Sequence, residues 1–469
     1  MSDSSLERLS AEDARILGLE TAAIAGHTCK VAVVEPGPGA PIELGDLRSH
    51  VVARLDRAPR CRQRVARTPL GLAPPAWVDD ERFEIAHHIR EAPTSGTVSE
   101  DRFREIAGEL MGTRLDHTRP LWRIDVVAPL DGGRTGLVIR IHHAMADGIS
   151  ALRLCDDILW DTEPNPPPPE RTSWTPQPTP SGARLLATGL AGRAAGAGRG
   201  LAGAVAGLAS PRRVGSALRE LAREPVALVR ELSPLGGAAP LDLHIGPRRE
   251  LAFAGAPLDR LKRIEHAVGE RIGRRVTVND VALAAVAGGL QRWLRDVGSS
   301  VAELRAQVPV SMHRREETAD QLSNRDSFLY VDLPISESDP LRRLELINAE
   351  TVARKDLGDA DALYLFFHRL SHAGPVYREA MRLAAGPHEF SLAISNVPGP
   401  REPVYVLGRR VSDLHSIAEP ADRHALRVSA VSLAGTMHFA LCTDPDALPG
   451  IHRIAHGIER SIEEMLDRL

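Results

Sequence analysis

The residues best placed to do chemistry are His142-His143-Ala144-Met145-Ala146-Asp147-Gly148, an HHxxxDG string directly after the apolar run Leu137 to Ile141. An imidazole supplies a base near neutral pH, a carboxylate can orient it, and a glycine lets the backbone turn sharply. A base held this way can take the proton of an alcohol or amine with no covalent intermediate, which suits acyl transfer. If Leu137 to His143 is extended, Leu137, Ile139, Ile141 and His143 share one face, and Val138, Arg140 and His142 share the other. The two histidines then have different jobs. His143 ends the apolar face, where desolvation keeps an imidazole neutral, and His142 makes a supporting hydrogen bond. Ile149, Leu152, Cys155 and Leu159 recur at helical spacing, so Asp147-Gly148 sits at a strand-to-helix junction. There Asp147 caps the helix or pairs with an arginine.

Two other readings stay open on these residues alone. One is a metal site, weakened because adjacent strand residues point apart and no further ligand cluster is nearby. The other is a structural turn with ordinary hydrogen-bonded histidines. The second pair, His87-His88, has no following Asp-Gly and reads as coincidence. No GxSxG elbow or Walker A loop is present.

The elements that must position this string are legible in outline. A chain of 469 residues exceeds one ordinary core, and a prior of about 100 to 200 residues per domain suggests two or three. Within 1–160, strand signals at Lys30 to Glu35, Arg123 to Val127 and Leu137 to Ile141 alternate with a helical pattern over Glu100 to Gly112. Residues 161–240 read as a linker and connector: a proline-rich stretch (Pro164, Pro166 to Pro169, Pro176, Pro178, Pro180) stays extended, then Gly182 to Arg219 is rich in Ala, Gly and Arg and has no acidic residue. Such a segment can lie on an anionic lipid surface or serve as a plain helical connector. Residues 241–469 form a second unit, with helices over Leu258 to Val268, Val276 to Leu290 (begun by an Asn279-Asp280 cap) and Arg453 to Leu469, and strands at Val308 to Ser311 and Phe328 to Leu333. The class is α/β or α+β.

A net charge of -4 offers no field for nucleic acid. Cys29, Cys61, Cys155 and Cys442 lack zinc spacing and read as buried thiols in a reducing, cytoplasmic setting. No secretory signal is expected, and no apolar run reaches the roughly 20 residues that span a bilayer.

Further segments give the string a context. Leu115-Asp116 followed by Arg119-Pro120-Leu121-Trp122 matches LDxxxPLW, Val278-Asn279-Asp280-Val281 matches an NDV helix start, and Ser395-Asn396-Val397-Pro398-Gly399-Pro400 matches SNVPGP. Leu9-Ser10, Asp13 and Glu20 fit LSxxDxxxLxxE. Together with HHxxxDG, in this order from about residue 9 to 440, they make the chain resemble the bacterial wax ester synthase/diacylglycerol acyltransferase family, within the CoA-dependent acyltransferases of chloramphenicol acetyltransferase-like fold. Two segments depart from its pattern: His27 is kept without the preceding Pro-Met, and Leu322-Ser323-Asn324-Arg325 follows a glycine-asparagine motif only loosely.

The resemblance implies two domains, each a mixed sheet flanked by helices, with the active site in a tunnel between them. It implies that His143 deprotonates an acceptor hydroxyl that attacks acyl-CoA, supported by Asp147, His142 and Gly148, with no cofactor, metal or acyl-enzyme. Pro120, Leu121 and Trp122 then line an acyl pocket or anchor the interdomain core, Asn279 faces the tunnel, Glu20 lies on the acceptor side, and Pro398-Gly399-Pro400 shapes the rim. The partners are acyl-CoA and diacylglycerol or a long-chain alcohol, with the protein cytoplasmic or peripheral on the inner membrane face or lipid droplets. A condensation-like enzyme fed by a carrier-protein thioester, and a non-catalytic lipid-surface protein, are the alternatives.

Overall fold

The computed structural model describes residues 6–37, 42–164, 166, 173–194, 240–311, 326–356 and 390–469. The loosely matched Leu322 to Arg325 and residues 195–219 of the basic stretch lie outside them.

Two six-stranded sheets dominate. Six strands of the first half are β1 (His27–Val34), β2 (Gln63–Ala66), β3 (Ala76–Asp79), β4 (Ile89–Glu91), β5 (Trp122–Val127) and β6 (Thr135–His142). The rest are β7 (Glu250–Pro257), β8 (Glu303–Ser311), β9 (Asp326–Pro334), β10 (Leu392–Val397), β11 (Tyr405–Val406), β12 (Arg409–Ala418), β13 (Leu426–Leu433) and β14 (Thr436–Thr443). The first sheet runs β11-β12-β1-β6-β5-β4 and the second β7-β14-β13-β10-β8-β9, while β2 and β3 form a separate hairpin. Both sheets are mixed: β4–β5 in the first and β10–β13 and β10–β8 in the second are parallel.

Sequence order assigned all of 241–469 to the second unit, and the sheets correct that. β12 crosses back to pair antiparallel with β1, from Thr28 opposite Ala418 to Val34 opposite Val411. β12 places apolar residues in the cores on both its faces, Val411 and Leu414 in one and Ile417 in another. A strand buried on both sides carries no mark of the sheet it joins.

The alternation expected along β6 holds. Leu137, Ile139 and Ile141 pack under α2 (Leu44–Val52) and α5 (Gly148–Ile158), whereas Val138 faces the seam between the sheets with Val31, Ile417, Leu251, Ala440 and Cys442. Helix α4 (Glu100–Met111) closes that seam with Phe103, Ile106, Ala107 and Met111. The second sheet is covered by α7 (Leu258–Ile272), α8 (Val278–Asp296), α9 (Pro340–Asp356) and α10 (His452–Asp467).

Residues 173–180 carry no regular element and run along the hairpin, with the Gln177 and Thr179 amides donating to Asp79 and Glu81. Helix α6 (residues 182–194) then opens the basic stretch. It is docked on the protein: Leu185 packs with Ala66, Ala76 and Val78, and the Arg8 guanidinium donates to the Leu185 carbonyl and the Thr188 hydroxyl.

Candidate active site

Strand β6 ends at His142, so His143 is the first residue of the turn leading to α5. The turn is closed by the Met145 and Ala146 amides, both donating to the His142 carbonyl at 2.8 and 3.2 Å, and His143 N–H donates to Gly26 O at 2.9 Å. The strand end is fixed from below by Arg140, which donates to Asp125 and to the Leu110 and Thr113 carbonyls at the end of α4. A buried cation on those carbonyls satisfies groups that a helix end leaves unpaired.

His142 is fully buried and engaged at both ring nitrogens. Its Nδ1 accepts from the Ala144 amide at 3.0 Å, so the proton sits on Nε2, which donates to Glu20 Oε1 at 2.7 Å. The same oxygen accepts from His117 Nε2 at 2.7 Å. Burial alone raises the Glu20 carboxyl, but its bonds and charges to His142 and His117 outweigh that and hold it below the usual carboxylate value. Sequence alone offered His142 no further ligand, yet the fold brings Glu20 and His117 to it, their donor atoms lying within 4.8 Å of one another. That oxygen already accepts two hydrogen bonds, and the trio reads as a clamp that fixes the His142 tautomer. Gly26 lets the loop approach: it has φ +75°, and a Cβ there would lie 2.7 Å from His142 Nε2. Glu419, just past β12, holds the loop by accepting from the Ala25 and Gly26 amides and from Arg249.

His143 is partly buried and held strongly neutral. Desolvation, then the positive charge of Arg427, with His142 and Lys30 adding to it, pushes its pKa down to about 3, and Asp147 only partly opposes them. Lys30 is fully buried on β1, donates to Ser416 Oγ at 2.7 Å, and is itself lowered to about 8 by burial. Asp147 caps α5, its Oδ1 accepting from the Ser150 amide at 2.7 Å.

Gly148 differs from expectation. Its φ is not among the positive values, and a Cβ would meet Val397 Cγ2 at 3.5 Å, an ordinary contact. The turn therefore does not require glycine there. The contact does bring the start of α5 against the SNVPGP segment of the second sheet. From that segment Asn396 Nδ2 donates to Asn279 Oδ1 at 3.3 Å.

Asn279 and Asp280 are not the helix cap. Thr277 is, in a reciprocal capping box with Asp280, which also accepts from Asn348 and Thr351. Asn279 stands in the first turn and is left to face Asn396. Leu121 and Trp122 are core anchors: Trp122 Nε1 donates to Cys61 O at 2.8 Å and its ring stacks on His88 at 4.6 Å. Trp122 borders a small apolar cavity of about 10 Å³ beneath α5. Pro120 and Leu121 act through the backbone, the Leu121 carbonyl accepting from His142 N at 2.9 Å. An open polar hollow of about 570 Å³, lined by Asp80, Phe83, Thr118 and Arg119 among others, contains none of the site histidines.

Reading the sequence alone missed His117, Gly26, Lys30, Arg427, Arg249 and Glu419. Only His117 carried a signal, lying inside the LDxxxPLW segment.

Two mixed sheets joined by a returning strand, with a histidine at a strand end, make the chloramphenicol acetyltransferase-like fold. Residues 9–282 match the wax ester synthase/diacylglycerol acyltransferase catalytic domain, and residues 322–466 match the WS/DGAT C-terminal domain. The chain belongs to the wax ester synthase/diacylglycerol acyltransferase family. It is 30% identical over 482 residues to a Mycobacterium tuberculosis protein whose name proposes diacylglycerol O-acyltransferase activity, covering 98% of this chain and 90% of that one. A Mycobacterium bovis protein named likewise is 30% identical, with 97% of each chain covered. Among solved structures, the wax ester synthase/diacylglycerol acyltransferase from Marinobacter aquaeolei VT8 superposes with a TM-score of 0.68 at 21% identity, covering 98% of both chains. The first condensation domain of the CDA synthetase superposes at 0.58 with 16% identity, covering 100% of this chain and 97% of that one.

Proposed function

We propose that the protein transfers a long-chain acyl group from acyl-CoA to the hydroxyl of diacylglycerol or a fatty alcohol, with His143 as general base. The observation that carries this is the place of His143: it opens the turn between β6 and α5, held neutral by burial and neighbouring positive charge, on a backbone that the locked His142 fixes. Both substrates enter between the sheets. The acceptor oxygen attacks the thioester carbonyl carbon as its proton passes to the His143 ring. The tetrahedral intermediate then collapses, the C–S bond breaks, and the His143 proton goes to the departing CoA thiolate. A pKa of about 3 describes the ring beside Arg427 and Lys30 alone; the negative intermediate favours the imidazolium and raises it during reaction.

Direct transfer also suits the thiols. All four cysteines are free and buried, and burial pushes Cys29 and Cys155 up to about 12 and Cys61 and Cys442 higher still. None is poised to carry an acyl group. Asp147, His142, Glu20 and His117 act by positioning the turn, and Asn279 with Asn396 borders the space beside it.

The same reading includes a lipid surface for the acceptor. No described helix is long and apolar enough to cross a membrane. Leu70 and Leu72 are exposed on the loop after β2, and Leu190 is exposed on α6, which packs against that loop at Pro69 and Ala73. The basic residues of Gly182 to Arg219 continue from α6.

The test is transfer of labelled acyl groups from acyl-CoA to diacylglycerol and hexadecanol. His143→Ala is expected to lower the rate by roughly 10² to 10⁴, the range for a positioned base. An unchanged rate with a folded variant removes the mechanism.

A further inference from the structure

A second cluster of ligand-type side chains lies in the seam between the sheets, away from His143. Asp413 and His415 are two apart on β12 and so share a face, the one that continues to Ile417 in the seam core. His438 on β14 shares its face with Ala440 and Cys442, which lie in the same core. One donor atom each from Asp413, His415 and His438 lie within 4.8 Å of one another. His415 stands opposite Val31 on β1, four residues from His27, which pairs with His142. That places the cluster about 13 Å along the strand from the row of the active-site turn.

Two imidazoles in an apolar seam need partners, because burying an unpaired polar nitrogen is costly. His415 and His438 are 8% and 6% exposed, and His415 Nδ1 and His438 Nε2 have no hydrogen-bond partner among the described residues. The Phe253 ring stacks on His415 at 3.8 Å, which fixes the imidazole plane, and Asp413 Oδ2 is oriented by the Ser412 hydroxyl at 2.9 Å. Nearby Arg104 is paired with Asp101, which reduces its repulsion of a cation.

We propose that Asp413, His415 and His438 form a binding site for a zinc-like divalent cation that staples β12 of the first sheet to β14 of the second. Two imidazole nitrogens and one carboxylate oxygen suit borderline ions such as Zn²⁺, with water in the fourth position. Zinc–nitrogen bonds of about 2.0–2.1 Å set two ligands roughly 3.3 Å apart, so donor atoms within 4.8 Å of one another close by at most about 1.5 Å through χ rotation. The ion satisfies the two orphaned nitrogens and, by binding only the folded seam, stabilises the fold.

The test uses the full-length protein, freed of metal with a chelator, and titrated with zinc by calorimetry and with Co²⁺ by visible absorption. One equivalent of zinc is expected to bind and raise the melting temperature. His438→Gln and Asp413→Asn are each expected to weaken binding by at least about tenfold and to abolish the zinc-dependent rise. His117→Ala, which breaks the trio at Glu20, should leave binding intact. The proposal is overturned if the wild type binds no zinc, if both seam variants bind as the wild type does, or if His117→Ala alone removes the site. Melting of each variant without metal reports its folding; because Asp413 is only partly buried, Asp413→Asn carries the test should His438→Gln fail to fold.

Discussion

At position 148, the glycine of HHxxxDG is required by neither backbone strain nor crowding, since a Cβ there meets only Val397 at 3.5 Å. It opens helix α5, where alanine is the better helix former. On the function proposed above, a side chain at 148 would take space from substrate beside the turn. Gly148→Ala is therefore expected to leave stability unchanged or raise it by up to about 1 kcal/mol, while lowering kcat/KM by roughly ten- to a hundredfold, as small displacements of bound reactants do. Melting and acyl-transfer kinetics on one preparation separate the two effects. Full activity with an added methyl group would show that the space is not used by substrate. The partners of His142 argue the same way about legibility. Ala144 is two residues away and Glu20 is 122 residues away, so the tautomer lock combines a local turn with a contact that only the fold creates.

Elements whose own residues carry their signal were readable from sequence. The β6 alternation, the Asp147 cap and the periodicity of α5 all survive in the structure, because each is a local pattern of burial. The start of α8 was misread because Thr277, Asn279 and Asp280 are all plausible caps, and the choice lies in the reciprocal bond between Thr277 and Asp280. The basic stretch was harder still, since its glycines and alanines describe neither a packed nor a surface helix. In the structure α6 packs through Leu185, leaving Leu190 beside the Leu70–Leu72 loop. Leu70 is 90% exposed with φ 57°, a conformation unfavourable for a leucine and one that packing does not explain. Leu70→Asn should relieve strain and leave turnover of short, soluble substrates intact, yet weaken flotation with vesicles. Removing 195–219, with Arg199, Arg212, Arg213 and Arg219, should weaken flotation with anionic vesicles specifically, by up to about 1 kcal/mol per charge near the surface. Flotation undiminished by both changes together would sink the lipid-surface reading.

At the scale of the whole molecule, the two sheets and their helices were legible as alternating patterns, but the return of β12 to the first sheet was not, because strand pairing is a long-range choice among similar apolar strands. The folded molecule also buries imidazoles, and this sets a response to acid. Desolvation first of all lowers His27 well below its usual value, His88 to about 4 and His143 to about 3. Unfolded, these rings take up protons near pH 6.5; folded, they do not. Stability from this source is complete above about pH 6.5 and is lost progressively as pH falls toward the folded values, with a slope of at most about 1.4 kcal/mol per pH unit for each ring. Asp156, raised to about 6 by burial, works in the opposite sense and offsets part of the loss. Burial lowers His50, His415 and His438 as well and raises Asp157, Glu250 and Glu419 beside Asp156. The lowered rings outnumber the raised carboxyls and leave acid net destabilising, so the urea midpoint is expected to be lower at pH 5 than at pH 7. His88 is the ring to remove, because it stacks between Phe83 and Trp122, where a phenyl ring fits, and its hydrogen bond, to the Trp122 carbonyl, lies outside the HHxxxDG turn. His88→Phe should flatten the dependence of midpoint on pH even if it lowers stability at neutral pH. A midpoint equal at pH 5 and 7, or an unaltered slope in the variant, would show that these buried rings do not govern the acid response.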